Sequence, residues 1–213
     1  MTVETDALNA TAAPDLTTLS SLVGLYLNRS DLSAMIPRFI ELASWSFNRT
    51  IWSPDREASV TATVSSGSYT LPADLYQLRS VFVDTANDTP LRQVSIDELK
   101  ARANRTGEPS SFALLGRAML FDPQPASSYS VVIRYYASIS ILGTTNSTNW
   151  LLERHPDIYL YGALVQAEAF LGNDQRIGLW KAALQEAIAD LNDAGTRRMM
   201  SGGPLIMRAS SVA

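Results

Sequence analysis

The side chains able to do chemistry are few and scattered. The chain has one histidine, His155, and no cysteine. His155 precedes Pro156 at the start of a helical pattern, where a lone imidazole serves as a surface or capping group. No second imidazole or thiolate exists to complete a metal site. A hydrolytic triad would have to use this histidine, and no serine stands in a Gly-x-Ser-x-Gly setting. There is no Gly-rich phosphate loop closing on Lys-Ser or Lys-Thr, and no dinucleotide fingerprint follows a strand pattern. Glu153, Asp157 and Glu168 are near one another in the chain, but an acidic protein offers such carboxylates anywhere, and they do not by themselves indicate glycoside hydrolysis. Tyr159 and Tyr161 could bracket a ligand, although aromatic residues at such positions more often pack or meet a subunit. Arg197 and Arg198, with Met199 and Met200, could touch nucleic acid, although two arginines at a helix end more often complement the helix dipole. Elimination points to a structural or interaction protein, with no catalytic residues, cofactor or metal, rather than an enzyme.

The elements that would hold these residues are more explicit than the chemistry. From Trp150 to Leu191 two apolar series at helical spacing flank Gly172. The first, begun by Pro156, carries Leu160, Ala163, Leu164, Ala167, Phe170 and Leu171. The second carries Ile177, Trp180, Leu184, Ile188 and Leu191. Gly172 ends one helix, Asn173 or Asp174 caps the next, and so short a connection makes an antiparallel hairpin with shared apolar faces. Near the amino end, Thr17 or Thr18 is expected to cap a short helix bearing Leu19, Leu22, Val23, Tyr26 and Leu27. Ser30 or Asp31 is expected to cap a second, with Leu32, Met35, Ile36, Phe39, Ile40, Leu42, Ala43 and Phe47; Pro37 means it either kinks or begins there. The two ends of the chain are expected to form one bundle.

Between Pro54 and Thr148 the period changes to two, which predicts strands. Val60–Val64 and Tyr69–Leu71 flank a Ser65-Ser66-Gly67 turn, and Leu78–Val83 is expected to pair with Leu91–Val94. Ser95 and Glu98 make a capping box opening a short helix to about Ala103. Phe112–Leu115 and Ala118–Phe121 flank Gly116-Arg117 as a hairpin, Asp122–Pro125 is a loop, and Tyr129–Tyr136 is the longest alternating run. The expected organisation is α+β: a flexible amino terminus (1–15), a discontinuous helical bundle (16–53 and 149–200), an inserted small antiparallel β domain with a short helix (54–148), and an extended carboxyl-terminal arm (201–213). Order is expected to fade after Leu191.

A net charge of −4 over 213 residues and a pI near 5.0 argue against general nucleic-acid affinity, which needs clustered Lys and Arg. With 18% charged residues and no cysteine, the surface is sparing in charge, a mild sign of assembly, and a reducing cytoplasm suits the chain. The amino terminus has no secretory pattern and no apolar run reaches membrane-spanning length.

The succession of motifs resembles the head-to-tail adaptor proteins of tailed bacteriophages. Ile36-Pro37-x-Phe39-Ile40-x-Leu42-Ala43 comes first, then Leu71-Pro72-x-Asp74 and Gly107-x-Pro109-x-x-Phe112. Asn149-Trp150-Leu151-Leu152, Pro156-Asp157-x-Tyr159-Leu160-Tyr161-Gly162, Phe170-Leu171-Gly172-Asn173-Asp174 and Trp180 follow. The resemblance implies a protein made in the host bacterial cytoplasm and located in the virion at the head–tail junction. There, copies would form a homo-oligomeric ring, a dodecamer, beneath the portal protein and offer a platform to a tail or nozzle protein. DNA would pass through without specific binding, and no membrane is involved. On this reading Tyr159, Tyr161 and Trp180 are expected at the subunit interface. Arg197, Arg198, Met199, Met200, Leu205, Ile206 and Met207 are expected to contact the portal, because related adaptors reach it with a carboxyl-terminal extension. The alternatives are a tail-associated cell-wall-degrading accessory enzyme, with Glu153 or Glu168 as its carboxylates, and another tail or head completion protein.

Overall fold

The computed structural model describes residues 14–84, 88–102, 105–172 and 174–200. The flexible amino terminus and the 201–213 arm of the sequence reading lie outside the described residues, apart from residues 14 and 15. In chain order the helices are α1 (Leu16–Leu27), α2 (Ile36–Thr50), α3 (Ile96–Ala101), α4 (Trp150–Arg154), α5 (Pro156–Leu171) and α6 (Asp174–Met200). The chain divides into two compact units, one running to Asp55 and resuming at Ile139, the other Arg56–Ser138.

The helical unit follows the apolar spacing closely. Asp15, not Thr17 or Thr18, caps α1: its carboxylate accepts from the Thr18 N–H at 2.8 Å, and Thr18 Oγ1 accepts from the Asp15 N–H at 2.9 Å. Residues 30–35 form turns instead of a capped helical start. Helix α2 begins at Ile36 and places Pro37 in its first turn, where the missing N–H removes no helical hydrogen bond. Leu19, Val23, Phe39, Ile40, Ala43, Phe47, Leu151, Leu152, Ile158, Ala163, Leu164 and Ala167 fill the core. Each such side chain contributes about 1.5–3 kcal/mol when fully buried. Gly162 lets α5 approach α2: a Cβ there would lie 2.5 Å from Phe47 Cζ. Gly172 ends α5 in the left-handed conformation, φ 69°.

Residues 139–148, assigned from sequence to the β domain, lie in the helical unit. Ile139 and Leu142 are buried in its core. Asn48 holds this return by accepting from the Ile139 N–H at 2.7 Å and donating to the Ile139 carbonyl at 3.0 Å. The link also reaches α1, where the Leu16 N–H donates to the Ser147 carbonyl at 2.8 Å.

The strand unit contains β1 (Glu57–Val64), β2 (Ser68–Thr70), β3 (Leu75–Val83), β4 (Thr89–Pro90), β5 (Arg92–Gln93), β6 (Thr106–Gly107), β7 (Ser111–Leu115), β8 (Ala118–Asp122), β9 (Gln124–Pro125) and β10 (Tyr129–Ala137). One sheet has the order β1-β10-β3-β4, a second β2-β8-β7-β5, and β6 pairs with β9. Val81, Val83, Val131 and Ile133 from the first sheet and Phe112, Met119 and Phe121 from the second belong to one apolar core.

The pairings correct several expectations. Strands β1 and β2 do not pair with each other: β1 runs against β10 for eight residues, and β2 joins β8. Ser65–Gly67 therefore carries the chain from one sheet to the other. Of Leu91–Val94, Leu91 donates its N–H to the Val81 carbonyl of β3 at 2.9 Å, but the segment does not pair along that strand. Thr89–Pro90 takes that place, and Arg92–Gln93 pairs in parallel with β7. Gln124–Pro125, expected in a loop, pairs in parallel with β6, so the unit is not purely antiparallel. The β7–β8 hairpin is as expected. In α3 half of the expected capping box forms: Ser95 Oγ accepts from the Glu98 N–H at 3.1 Å, whereas the Glu98 carboxylate accepts from Arg102, and the helix stops at Ala101, short of the expected Ala103.

Candidate functional site

Among the described residues His155, Glu153, Asp157 and Glu168 do not converge on one site. Among the described residues no group of three or more His, Cys, Asp or Glu could hold a metal ion. His155 stands at the junction of α4 and α5, and its N–H donates to the Leu151 carbonyl at 2.8 Å. Glu153 and Asp157 are exposed, whereas Glu168 is buried against Arg176, 3.0 Å from its Nε. These carboxylates thus occupy different environments, one inside the helical unit and two on its surface.

Of the three aromatic residues assigned to a subunit interface, Tyr159 is misplaced. It is fully buried in the helical core, with its ring edge-on to Phe47 at 5.0 Å between centroids. Asn149 Nδ2 donates to its hydroxyl at 2.8 Å, and Ser44 Oγ lies 3.5 Å away. Burial pushes the Tyr159 hydroxyl above its ordinary pKa, against the opposing effect of those two hydrogen bonds. No surface of Tyr159 remains to meet another copy. Tyr161 and Trp180 are half-buried and stacked on one another at 6.0 Å, with Tyr26 of α1 edge-on to Trp180 at 5.9 Å. They close the junction of α1, α5 and α6.

The most elaborate polar arrangement is at the far end of α6, where order was expected to fade. The helix continues to Met200 because one of its faces is docked on the segment after α2. Asn192 Oδ1 accepts from the Trp52 N–H at 2.8 Å, and Asn192 Nδ2 donates to the Thr50 carbonyl at 3.2 Å. One turn on, Gly195 passes so close that a Cβ would lie 2.7 Å from Pro54 Cδ. One turn further, Arg198 donates to Asp55 at 2.5 Å, and Arg154 of α4 binds the other oxygen at the same distance. Ser53 Oγ donates to Asp55 at 2.7 Å. Burial pushes the Asp55 carboxyl up, but the hydrogen bonds from Arg198 and Ser53 and the charges of Arg198 and Arg154 outweigh it, holding the group below its ordinary value of 3.8.

Arg198 is thus engaged within the subunit, whereas Arg197 and Met199 are exposed. Nothing is described of the Met200 side chain, and Leu205, Ile206 and Met207 lie outside the described residues. The spacing Asn192, Gly195, Arg198, together with Ser53-Pro54-Asp55, was the sequence signal for this docking.

Sequence reasoning also missed how much apolar surface the helices leave outside. Leu42 is 53% and Trp45 54% exposed on α2, Leu25 69% on α1, Phe170 60% at the end of α5 and Leu179 61% on α6. Isolated exposed leucines are ordinary, but bulky apolar residues on four helices of a unit whose core is already filled are the surfaces that associating proteins bury.

The chain belongs to the SU10 adaptor protein family, whose sequence model matches residues 14–208. This is consistent with a phage head–tail adaptor, a structural protein of the virion, and implies interaction with portal and tail components. No curated protein matches the chain at a significant level. No helix among the described residues is long and apolar enough to cross a membrane.

Proposed function

We propose that copies of this chain assemble as a ring, a dodecamer, beneath the portal, extend the DNA channel and present a platform to a tail or nozzle protein. The observation that carries this reading is the exposed apolar surface of α1, α2, α5 and α6, combined with membership of the adaptor family. A closed ring requires head-to-tail contact between two different faces of each subunit. Leu42, Trp45, Leu25 and Phe170 supply the apolar area for such contacts, with Tyr161 and Trp180 bordering it. The helical unit forms the ring wall and carries the strand unit as an insertion. A net charge of −4 suits a channel through which DNA slides, because fewer cationic contacts to phosphate mean less retention.

The base of the portal contact is the docked end of α6. Asp55 fixes the last turn through Arg198, leaving Arg197 and Met199 exposed ahead of residues 201–213, whose Leu205, Ile206 and Met207 supply the apolar contact. The whole reading is tested by electron microscopy of the purified protein mixed with portal rings. An added layer of density sharing the portal axis is expected; density elsewhere on the particle, or none, would contradict it. Deleting residues 201–213 is expected to leave the subunit folded and to abolish the added layer.

A further inference from the structure

The outward face of the first sheet is concave and charged, unlike the apolar exterior of the helices. A hollow of about 510 Å³ is lined there by Glu57, Ser59, Arg79, Ser80, Phe82 and Arg134, among others. Register shifts on the β10–β3 ladder leave Arg79 without a paired residue opposite. Such a bulge re-aims a side chain, and Arg79 reaches Glu57 across the intervening strand to form an ion pair. Arg134, on that intervening strand, is exposed and lies over the Phe82 ring, 5.1 Å from its centroid. A guanidinium stacked on an aromatic face keeps its N–H fork available to a carboxylate. Among the described residues no carboxylate lies within ion-pair distance of Arg134, so the hollow carries one uncompensated cation.

The complementary feature is on α6. Glu186, Asp190 and Asp193 recur at intervals of four and three, which puts them on one face of the helix, and all three are exposed. None has a cation within ion-pair distance among the described residues. The two surfaces are opposite in charge, Arg134 on one and the three carboxylates on the other.

We propose that the concave sheet face of one copy receives the acidic stripe of α6 from the next copy, with Arg134 facing Asp190. The proposal rests on the ring reading and names two different faces that meet in it. Nucleic acid is a poorer occupant: a phosphodiester backbone is held by many clustered cations, whereas the single contact proposed here, Asp190, needs only the one that Arg134 supplies. Charges at such a contact set register and encounter rate, and salt weakens them.

The test uses the full chain on portal rings, scoring ring formation against protein concentration. Arg134→Glu and Asp190→Arg are each expected to raise the concentration needed by about tenfold at low salt, and by less at about 0.5 M salt. The double variant Arg134→Glu/Asp190→Arg is expected to return to within about threefold of the unaltered chain. Because the chain has no cysteine, Arg134→Cys/Asp190→Cys also allows a short bismaleimide to join copies, and a ladder of head-to-tail oligomers is expected. Rings that form normally in both single variants, or a double variant as defective as the two single changes combined, would overturn this contact while leaving the ring reading intact. Failure of the unaltered chain to form any ring on the portal would overturn the ring reading and this contact with it.

Discussion

The helical and strand units both bury an apolar core, but they leave different residues outside. In the strand unit the two-residue alternation sorts side chains cleanly: Ala62 and Val64 point inward while Ser59, Thr61 and Thr63 stay exposed. Its exposed large apolar residues are Tyr76 and Leu115; the others among the described residues are on the helical unit. On α2 the apolar positions wrap further round the axis than one core can cover, so Phe39, Ala43 and Phe47 are buried while Leu42 and Trp45 remain in solvent. The contrast teaches that the helices carry apolar surface in excess of what folding uses, and that the sheet offers charge and hydrogen bonds instead.

The comparison breaks most severely in the helical core. Phe47→Ala removes a fully buried ring that touches Tyr159 and packs over Gly162. It is expected to cost about 3–5 kcal/mol, a large share of a typical domain's stability, read as a lower denaturant midpoint for the helical signal. Asp55→Asn is expected to cost less, about 1–3 kcal/mol, because it leaves two guanidinium groups without their shared carboxylate. The loss should be seen in the denaturation midpoint and also as faster amide exchange over residues 192–200. The same carboxylate gives an acid dependence. Its folded pKa lies below the ordinary 3.8, so its stabilisation is fully present above that value and is lost as the pH falls through the lower, folded pKa. Denaturation midpoints measured from about pH 5 down to about pH 2 should show this component in the unaltered chain and not in Asp55→Asn. The smallest effect on folding is expected from Leu42→Glu with Trp45→Glu, within about 1 kcal/mol because both side chains are already more than half exposed, while ring formation should be lost.

Periodicity made the elements legible but not their partners. The helical spacing of Leu160, Ala163, Leu164 and Ala167, the Gly172 stop, the Ser95–Glu98 cap and the hairpin around Gly116 are all local, and each stands in the structure where the residues indicate. The destination of β2 was not legible, because alternation reports which side chains share a face and says nothing of the neighbouring strand. Ile139 and Leu142 fall within the span assigned from sequence to the β domain, and only the contact with Asn48, 91 residues away from Ile139 in the chain, reveals that they belong to the helical core. The end of α6 misled for a different reason. Arg197, Arg198, Met199 and Met200 run into Ser201-Gly202-Gly203-Pro204, which reads as a fading helix, whereas contacts from Trp52, Pro54 and Asp55 hold it to its last turn. Tyr159 shows the same limit: an aromatic residue near a helix start can serve a core or an interface, and the choice depends on Phe47 and Asn149.

The claim that the excess apolar surface of the helical unit is assembly surface is tested most directly by comparing portal rings mixed with the unaltered chain and with Leu42→Glu/Trp45→Glu by electron microscopy. The expected result is a symmetric added layer on the portal axis with the former and bare portal rings with the latter, although both proteins are equally folded. An identical added layer with the substituted chain would contradict the account.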